Sequence, residues 1–342
     1  MVEFNSRVVT TTIMDPREDF SRKSIETEIR LDPLTGESGR LAHFGMFKLQ
    51  KEDFSGWDTP EIRSRCPFCY PNMDKITPRF PPEYLPEGKL HRGETTLIPN
   101  ISPYDQFSAL AVMSHDHVVP LQKLTHRHLK DAFGAGLEFF RIISGKKIGL
   151  PYHIITWNYM PPSGGGLVHP HQQVIISDSP GNLYRKTLES SKRYFLKNGL
   201  SYWKAFCSAE KERNERFIGE LERSCWFTAF VPLGIQGEFL GIFPDVHTIF
   251  DLDEAAIDEL ADGLKRLFRY FQTLYVHSFN MGLFFAPAGA EDHFSLHVRV
   301  IPRLYLNPAY KPPDVNALQM VLQEPFAVVR PETQCTEIKL LW

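Results

Sequence analysis

Two histidines separated by one residue follow a run of glycines near the middle of the chain, in the segment Gly164-Gly165-Gly166-Leu167-Val168-His169-Pro170-His171-Gln172-Gln173. The apolar residues that follow predict a β-strand over residues 168–176. Because side chains alternate along a strand, His169, His171 and Gln173 are expected on one face. A neutral imidazole at the central position can attack a phosphorus atom and form a covalent phosphoramidate. Gln173 would then hold a non-bridging oxygen, while the glycines let the backbone approach the phosphate.

A polar strand edge with two incidental histidines is the alternative, and the cysteines argue against it. Cys66 and Cys69 form the only close pair among five cysteines, an odd number that does not suit a secreted disulfide framework. The C-x-x-C spacing is typical of half a zinc site, so the remaining ligands should be histidines. We expect them to be His117 and His169, which gives one closed, structural Cys2His2 zinc site per chain. Iron is the alternative metal, since tetrahedral Cys/His sites accept both.

The elements that carry these residues occur twice along the chain. Each copy has a strand, a D-x-H or H-D-H segment, a helix and two further strands. The first copy has strands at 106–113, 152–158 and 168–176 with a helix at 124–144; the second has strands at 237–243, 280–285 and 294–300 with a helix at 253–275. We therefore predict an α+β fold, a duplicated histidine-triad-like fold with antiparallel sheets of two pseudo-repeats and packed helices. Arg299 is expected where the second copy would need its nucleophilic histidine, so only the first copy should be catalytic.

Three segments follow from this duplication. Residues 1–183 form the half with the zinc site and the H-P-H-Q-Q motif, and residues 223–342 form a half without a nucleophile that ends in a substrate-binding tail. The charged stretch between them, residues 184–222, is interpreted as a solvated helical linker.

Composition limits the class of protein. The chain has 342 residues, of which 42% are hydrophobic, so it can bury a large core. A formal net charge of -3 gives no reason to expect nucleic acid or an anionic membrane as a partner. No run approaches the roughly 18 apolar residues of a membrane span, and the polar N-terminal region lacks the apolar core of a signal peptide. A cytoplasmic protein is expected.

Taken together and in order, these motifs resemble those of the galactose-1-phosphate uridylyltransferase family, within the histidine-triad superfamily, over nearly the whole chain. The shared features are Arg30-Leu31-Asp32-Pro33-Leu34-Thr35-Gly36, Cys66-x-x-Cys69, Pro99-Asn100 followed by Phe107, His117, Asn158, His169-Pro170-His171-x-Gln173 and Glu324.

The resemblance implies a role for each matching residue. His171 is similar to the nucleophile that becomes nucleotidylated, and Gln173 to the residue that supports the transferred phosphoryl group. The nucleotide-binding residues would be Asn100, Phe107, Asn158, Gly164, Gly165, Gly166 and Gln173, the substrate-binding residues Arg30 and Glu324, and the zinc ligands Cys66, Cys69, His117 and His169. The family also implies a homodimer and a ping-pong reaction with a nucleoside diphosphate sugar and a sugar phosphate.

Three departures from the family pattern affect the substrate and the metals. Gly166 replaces a serine of the phosphate loop. The histidines of a second metal site found in some members are missing around His297. The lysine, aromatic residue and tyrosine of the hexose-binding tail are replaced by residues 318–323, which puts galactose 1-phosphate in doubt as the acceptor.

The sequence is therefore interpreted as a nucleotidyltransferase of hexose-1-phosphate uridylyltransferase type. It would move UMP from UDP-glucose to a sugar 1-phosphate through a nucleotidyl-histidine, in galactose or other carbohydrate metabolism. Two alternatives remain: an ADP-sugar or dinucleoside polyphosphate phosphorylase or adenylyltransferase that uses phosphate as acceptor, and a non-catalytic nucleotide-binding protein. The altered tail favours the first of these.

Overall fold

The computed structural model describes residues 2–42, 49–307 and 309–342. In chain order the strands are β1 (Asn5–Asp15), β2 (Ser21–Leu31), β3 (Ser38–Ala42), β4 (Leu90–Arg92), β5 (Thr95–Pro99), β6 (Phe107–Val112), β7 (Tyr152–Tyr159), β8 (His171–Ser177), β9 (Phe217–Glu220), β10 (Cys225–Thr228), β11 (Phe239–Phe243), β12 (Phe279–Phe284), β13 (Leu296–Pro302) and β14 (Phe326–Ala327). The helices are α1 (Pro60–Arg65), α2 (Asn72–Lys75), α3 (His126–Gly145), α4 (Asn182–Asn198), α5 (Tyr202–Arg213), α6 (Glu254–Thr273), α7 (Ala317–Met320) and α8 (Pro331–Lys339).

Ten antiparallel strands form one sheet in the order β4-β5-β6-β8-β7-β12-β13-β11-β10-β9. A second, four-stranded sheet has the order β1-β2-β3-β14. The alternation of buried and partly buried residues along β7, β8 and β12 shows that the two faces of the large sheet differ. This is the α+β arrangement that the repeated strand and helix order predicts.

One face of the large sheet packs on α3, and on α6 through aromatic contacts of Phe268 with Phe279 and of Phe271 with Phe239; the two helices also pack on each other. We call this side of the sheet the helix face; its buried side chains include Trp157, Val174 and Val298, which belong to the main core. Both helices begin at a side-chain cap: Thr125 accepts a hydrogen bond from the backbone N–H of His128, and Asp253 accepts one from that of Ala256. The observed bounds of α3 and α6 lie within two residues of those expected from sequence.

The opposite face, which we call the site face, carries His171 and Gln173 in β8 and His297 and Arg299 in β13. These positions follow from the period of two along each strand, because the residues between them are buried on the helix face. The side chains that chemistry requires are thus kept apart from the main core.

The large sheet has an internal symmetry centred on the pairing of β7 with β12, in which Thr156 lies opposite Gly282. On the outer side of β7, Thr156 pairs with Gln173; on the outer side of β12, Gly282 pairs with Arg299. The same number of residues separates the members of both pairs. The two copies of the duplicated unit therefore meet edge to edge in one continuous sheet.

This register corrects one expectation from the sequence. Arg299 is equivalent to Gln173, and the equivalent of His171 is His297, two residues earlier. The neighbouring strands agree, since His171 pairs with Val112 of β6 and His297 pairs with Ile242 of β11. The second half therefore keeps a histidine at the position of the proposed nucleophile.

The expected solvated linker also differs from what the structure shows. Helix α4 already begins at residue 182, and α5 ends at residue 213, where the chain enters strand β9 of the large sheet. The two helices bury Tyr184, Trp203 and Phe206 in an apolar cluster with Phe227 and Phe294. They form a cover over the site face of the second half. Within the described ranges, no helix combines the length and the apolar character that crossing a bilayer requires.

Candidate functional site

Four buried side chains from three separate parts of the chain meet beside the start of β8: Cys66, Cys69, His117 and His169. The Cys69 sulfur lies 3.3 Å from Nδ1 of His117 and 3.6 Å from Nδ1 of His169, and the Cys66 sulfur lies 3.7 Å from the same nitrogen of His169. Bonds of about 2.3 Å from zinc to sulfur and about 2.0 Å to nitrogen in a tetrahedron give ligand separations of this size. The four predicted ligands are therefore placed to hold one metal ion.

Hydrogen bonding orients His169 for this role. Its Nε2 lies 2.8 Å from the carbonyl oxygen of Ser114, which can only accept, so the proton is on Nε2 and the Nδ1 lone pair faces the cysteines. Burial lowers the pKa of His169 to about 4. Burial, and then the neighbouring Cys66, raises the pKa of Cys69 to about 12. A metal ion would replace the thiol protons, and this donor set suits zinc.

A backbone carbonyl oxygen also fixes the tautomer of His171, but through Nδ1 instead of the Nε2 used by His169. Nδ1 of His171 lies 2.8 Å from the carbonyl oxygen of His169, so Nδ1 carries the proton and Nε2 keeps a lone pair. Burial lowers the pKa of the imidazole, which favours the neutral form. A neutral ring with a free Nε2 is what attack on phosphorus requires.

The metal cluster and His171 are joined by Phe68, which lies between the two cysteines in sequence. The ring centroid of Phe68 is 5.1 Å from that of His171 and 5.8 Å from that of His169, with edge-to-face geometry in both pairs. The C-x-x-C segment, whose cysteines could hold the metal, thereby also supports one side of the imidazole of His171 through Phe68.

The glycine run forms a tight loop in which the first two positions, Gly164 and Gly165, favour glycine. Gly164 has a φ of 84°, in the left-handed region. A Cβ on Gly165 would lie 3.0 Å from the carbonyl oxygen of Asn158 and 3.1 Å from that of Met160, whereas one on Gly166 would meet nothing within 4 Å. The loop therefore packs closely on the end of β7 at Gly165 and opens to solvent at Gly166.

Asn280 of β12 holds this loop, and the sequence analysis missed it. Its amide donates hydrogen bonds of 2.7 Å to Oδ1 of Asn158 and 2.9 Å to the carbonyl oxygen of Ser163. The guanidinium of Arg303, which pairs with Asp314, donates to Oδ1 of Asn280. The sequence places Asn280 at the start of a strand predicted at 280–285 in the second copy, and the pairing of that strand with β7 appears only in the structure.

A cleft of about 390 Å³ runs along the site face from the first half into the second. Asn158, Gln173, Asn280 and Arg299 all contribute to its lining. Arg299 is paired at 2.5 Å with the buried carboxylate of Glu238. The cleft therefore combines amide groups near the glycine loop with one cation from the second half.

Asn100 and Phe107, which were also expected to bind the nucleotide, lie in different surroundings. Asn100 lies partly exposed at the end of β5, where its Oδ1 accepts a hydrogen bond from the backbone N–H of Ser102. Phe107 is 5% exposed and belongs to the main core on the helix face, with an edge-to-face contact to Tyr84. The period of two along β6 turns Phe107 away from the site face, so its side chain is a core residue rather than a nucleotide contact.

The expected substrate-binding residues lie outside the cleft. Arg30 is 4% exposed and donates hydrogen bonds to Glu28, Glu332 and the carbonyl oxygen of Phe230, which is a structural role. Glu324 accepts a hydrogen bond of 2.7 Å from Ser38, and its other oxygen lies 3.2 Å from Nε of Arg40. Neither contributes to the described lining of the 390 Å³ cleft of its own chain.

Comparison with known proteins gives one relative and a set of similar folds. An uncharacterized protein of Archaeoglobus fulgidus is 30% identical over 316 residues, which cover 92% of each chain. No family model matches the sequence. An ADP-glucose phosphorylase from Arabidopsis thaliana, solved with bound ADP-glucose, has a TM-score of 0.69 at 16% identity over 92% of this chain and 98% of that one. A uridylyltransferase structure has a TM-score of 0.65 at 20% identity over 92% and 97%.

Proposed function

We propose that this chain, which belongs to one family with the Archaeoglobus fulgidus protein and has the galactose-1-phosphate uridylyltransferase-like fold of the histidine-triad superfamily, transfers a nucleoside monophosphate through His171. The hydrogen bond of 2.8 Å from Nδ1 of His171 to the carbonyl oxygen of His169 carries the proposal. It leaves Nε2 as a neutral nucleophile on the same strand face as Gln173, which lines the cleft together with Asn158 and Asn280.

The reaction has two displacements at the same phosphorus atom. In the first, the Nε2 lone pair of His171 forms a bond to the α-phosphorus of a nucleoside diphosphate sugar. The bond from that phosphorus to the bridging oxygen breaks, and its electron pair leaves with the sugar 1-phosphate. In the second, a phosphate oxygen of the acceptor attacks the same phosphorus and Nε2 regains its lone pair.

The residues around His171 have separate tasks in these steps. The side-chain amide of Gln173 and the backbone N–H groups of the glycine loop are proposed to stabilise charge that develops on the non-bridging oxygens. Asn158, held by Asn280, is proposed to orient the phosphates. The Cys66, Cys69, His117 and His169 cluster would hold one zinc ion whose role is structural, to fix the loop before β8.

We propose UDP-glucose as the donor and a sugar 1-phosphate as the acceptor, on the resemblance of the motif residues to the uridylyltransferase family. A homodimer belongs to this proposal because Glu324, expected to bind substrate, does not line the cleft of its own chain. It would then serve a partner's site. A cytoplasmic location and a role in carbohydrate metabolism are part of the same proposal.

One observation favours a second candidate, adenylyl transfer from an ADP-sugar or a dinucleoside polyphosphate with inorganic phosphate as the acceptor. The tail before Glu324 presents exposed apolar side chains, with Met320 70%, Val321 75% and Leu322 66% exposed. These side chains offer no hydrogen bonds to sugar hydroxyl groups. A small inorganic acceptor would not need such contacts.

Intact-mass spectrometry after brief incubation with UDP-glucose, and separately with ADP-glucose, tests both candidates. We expect a mass increase of one uridylyl group, absent in His171→Ala and retained in His91→Ala, which alters an exposed histidine of β4. An adenylyl-sized increase would select the second candidate. If no donor leaves an adduct while the zinc-loaded protein is folded, a non-catalytic nucleotide-binding protein replaces both.

A further inference from the structure

The second half contains a cavity of about 330 Å³ beside the site face. His297 and Arg299 of β13 form its floor, and Trp203 and Phe206 of α5 form part of its cover. The turn between β2 and β3 closes another side through Asp32 and Leu34. Its volume lies at the lower end of the range for small-molecule sites, which begins at about 300 Å³.

The internal symmetry of the sheet places this cavity where the first half has its nucleotide-binding face. His297 is equivalent to His171, and Arg299 to Gln173, by strand pairing. At the end of β5 the N–H of Asn100 donates to the carbonyl oxygen of Ser108 at 2.8 Å; at the end of β10 the N–H of Ala229 donates to that of Glu238 at 2.9 Å. Ala229 is thus the equivalent of Asn100, and it lines the cavity together with Phe230.

We propose that this cavity is a second site, which binds an uncharged nucleoside and performs no transfer. The inference goes beyond the proposed function and rests on it only in taking the equivalent face of the first half as a nucleotide-binding face.

The lining favours a planar heterocycle. The side chains of Phe206, Phe230 and Leu34 provide apolar walls that match the faces of a nucleobase. Polar side chains from the turn, from α4 and from α5 line the rest of the cavity, among them Asp32, Lys186 and Tyr202. A carboxylate accepts from ring N–H or amino groups, and a guanidinium donates to ring carbonyl groups. A hexose has hydroxyl groups all round its rim, and those that face Phe206, Phe230 and Leu34 would be left without hydrogen-bond partners.

Among the described residues, the second half lacks the glycine loop and, at this cavity, the unpaired cation that would bind a phosphate. Because the segments between the paired strands have equal lengths, the glycine run at residues 164–166 corresponds to Ala290-Glu291-Asp292. Two carboxylates therefore replace the flexible backbone that could approach a phosphate. Glu238, which takes the place of Ser108, is fully buried and pairs with Arg299. Lys186, the other cation in the described lining, pairs with Glu37 at 2.7 Å, so both cations are already neutralised by carboxylates and neither is left to bind a phosphate.

His297 has become part of the wall. Its Nδ1 donates a hydrogen bond of 3.0 Å to the carbonyl oxygen of Ser295, the same local contact that His171 makes. Its ring is stacked between Trp203, at a centroid distance of 4.1 Å, and Phe284, at 5.1 Å. A nucleoside bound here offers no phosphorus atom for attack, so binding without reaction follows.

Equilibrium dialysis of the zinc-loaded full chain against adenosine or uridine, and against their 5′-monophosphates, tests the inference. We expect each chain to bind two molecules of nucleoside but only one molecule of the monophosphate. Leu34→Trp, which fills the cavity from the turn, should reduce nucleoside binding to one per chain and leave monophosphate binding unchanged. Leu196→Trp, which adds the same side chain at a 73% exposed position of α4, is the matched control and should keep two.

The outcomes separate this inference from the proposed function. If Leu34→Trp changes neither nucleoside stoichiometry nor affinity, the second site is overturned, even where His171 forms its adduct. If no adduct or monophosphate binding is found but one nucleoside per chain is lost in Leu34→Trp, the second site stands and the proposed function fails. Leu34→Phe, a smaller change, replaces Leu34→Trp if circular dichroism shows that the larger substitution prevents folding.

Discussion

The side-chain amide of Asn280 donates a hydrogen bond of 2.7 Å to Oδ1 of Asn158, so a residue of the second half positions one of the first. The same amide donates to the carbonyl oxygen of Ser163, directly before the glycine loop. Arg303 in turn donates to Asn280 and is fixed by Asp314. The loop proposed to hold phosphate is thus supported from the half that has lost the glycines.

Replacing Asn280 by alanine should slow nucleotidylation of His171 because Asn158 and the loop lose their common donor. A misplaced contact of this kind costs about 10- to 100-fold in rate. We expect kcat to fall while zinc content and melting temperature stay unchanged. Rapid quench followed by intact-mass spectrometry measures the rate at which His171 becomes nucleotidylated. Asn198→Ala, which removes a side-chain hydrogen bond at the exposed end of α4, is the control. An unchanged rate in Asn280→Ala would remove Asn280 from the positioning network.

Gly165→Ala and Gly166→Ala form a matched pair within the glycine loop. The new Cβ at residue 165 would press on two backbone carbonyl oxygens at 3.0 and 3.1 Å, whereas residue 166 has open space. Overpacking against backbone costs about 1–3 kcal/mol, and the loop should move away from the phosphate. Adduct formation should therefore fall at least about tenfold in Gly165→Ala and stay near the wild-type rate in Gly166→Ala. Equal rates in the two variants would contradict the close packing of this loop.

Cys66→Ser should abolish stoichiometric metal binding. A tetrahedral site that loses one thiolate binds zinc poorly, and the loop before β8 then loses its fixed position. Elemental analysis should show about one zinc per chain in the wild type and in Cys335→Ser, a buried cysteine outside the cluster. The melting temperature should fall in Cys66→Ser, and nucleotidylation of His171 should be lost with it. Iron in place of zinc would leave the ligand set intact and change only the metal.

His153 makes folding stability depend on pH. Burial lowers its pKa from 6.5 to about 4, and its Nε2 lies 3.0 Å from the Ser144 hydroxyl. A lowered histidine pKa means that the unfolded chain binds the extra proton first, so stability is lost as pH falls from about 6.5 to about 4. The loss is at most about 1.4 kcal/mol per pH unit. Urea unfolding at pH 7 and pH 5 should show a smaller difference in His153→Gln than in the wild type. An identical difference would assign the effect to other groups.

The repeated elements could be predicted from sequence because each has its own local signal. Helix α3, with Thr125 as its cap and a continuous apolar stripe, was expected at 124–144 and is found at His126–Gly145. The metal cluster was also predictable, since C-x-x-C spacing restricts the remaining ligands to a few histidines. Its four residues lie together in the structure.

Other features have no such signal. The β1 and β2 hairpin exposes side chains on both faces, since the consecutive residues Arg7 and Val8 of β1 are both exposed, so it lacks the alternation that marks a half-buried strand. The choice between His297 and Arg299 as the equivalent of His171 also needs the structure. A shift of two residues keeps the same face of a strand, so the sequence pattern cannot decide between them; the pairing of Thr156 with Gln173 and of Gly282 with Arg299 does.

The pairing of β7 with β12 has a consequence for how such a protein changes over time. In a homodimer built from two identical units, every substitution appears at both active sites at once. Here the units are parts of one chain, so Ser295 and Glu238 could replace the equivalents of His169 and Ser108 in one unit while the other kept its chemistry. A covalent connection of this kind lets the two units differ in sequence, and so take different tasks within one molecule.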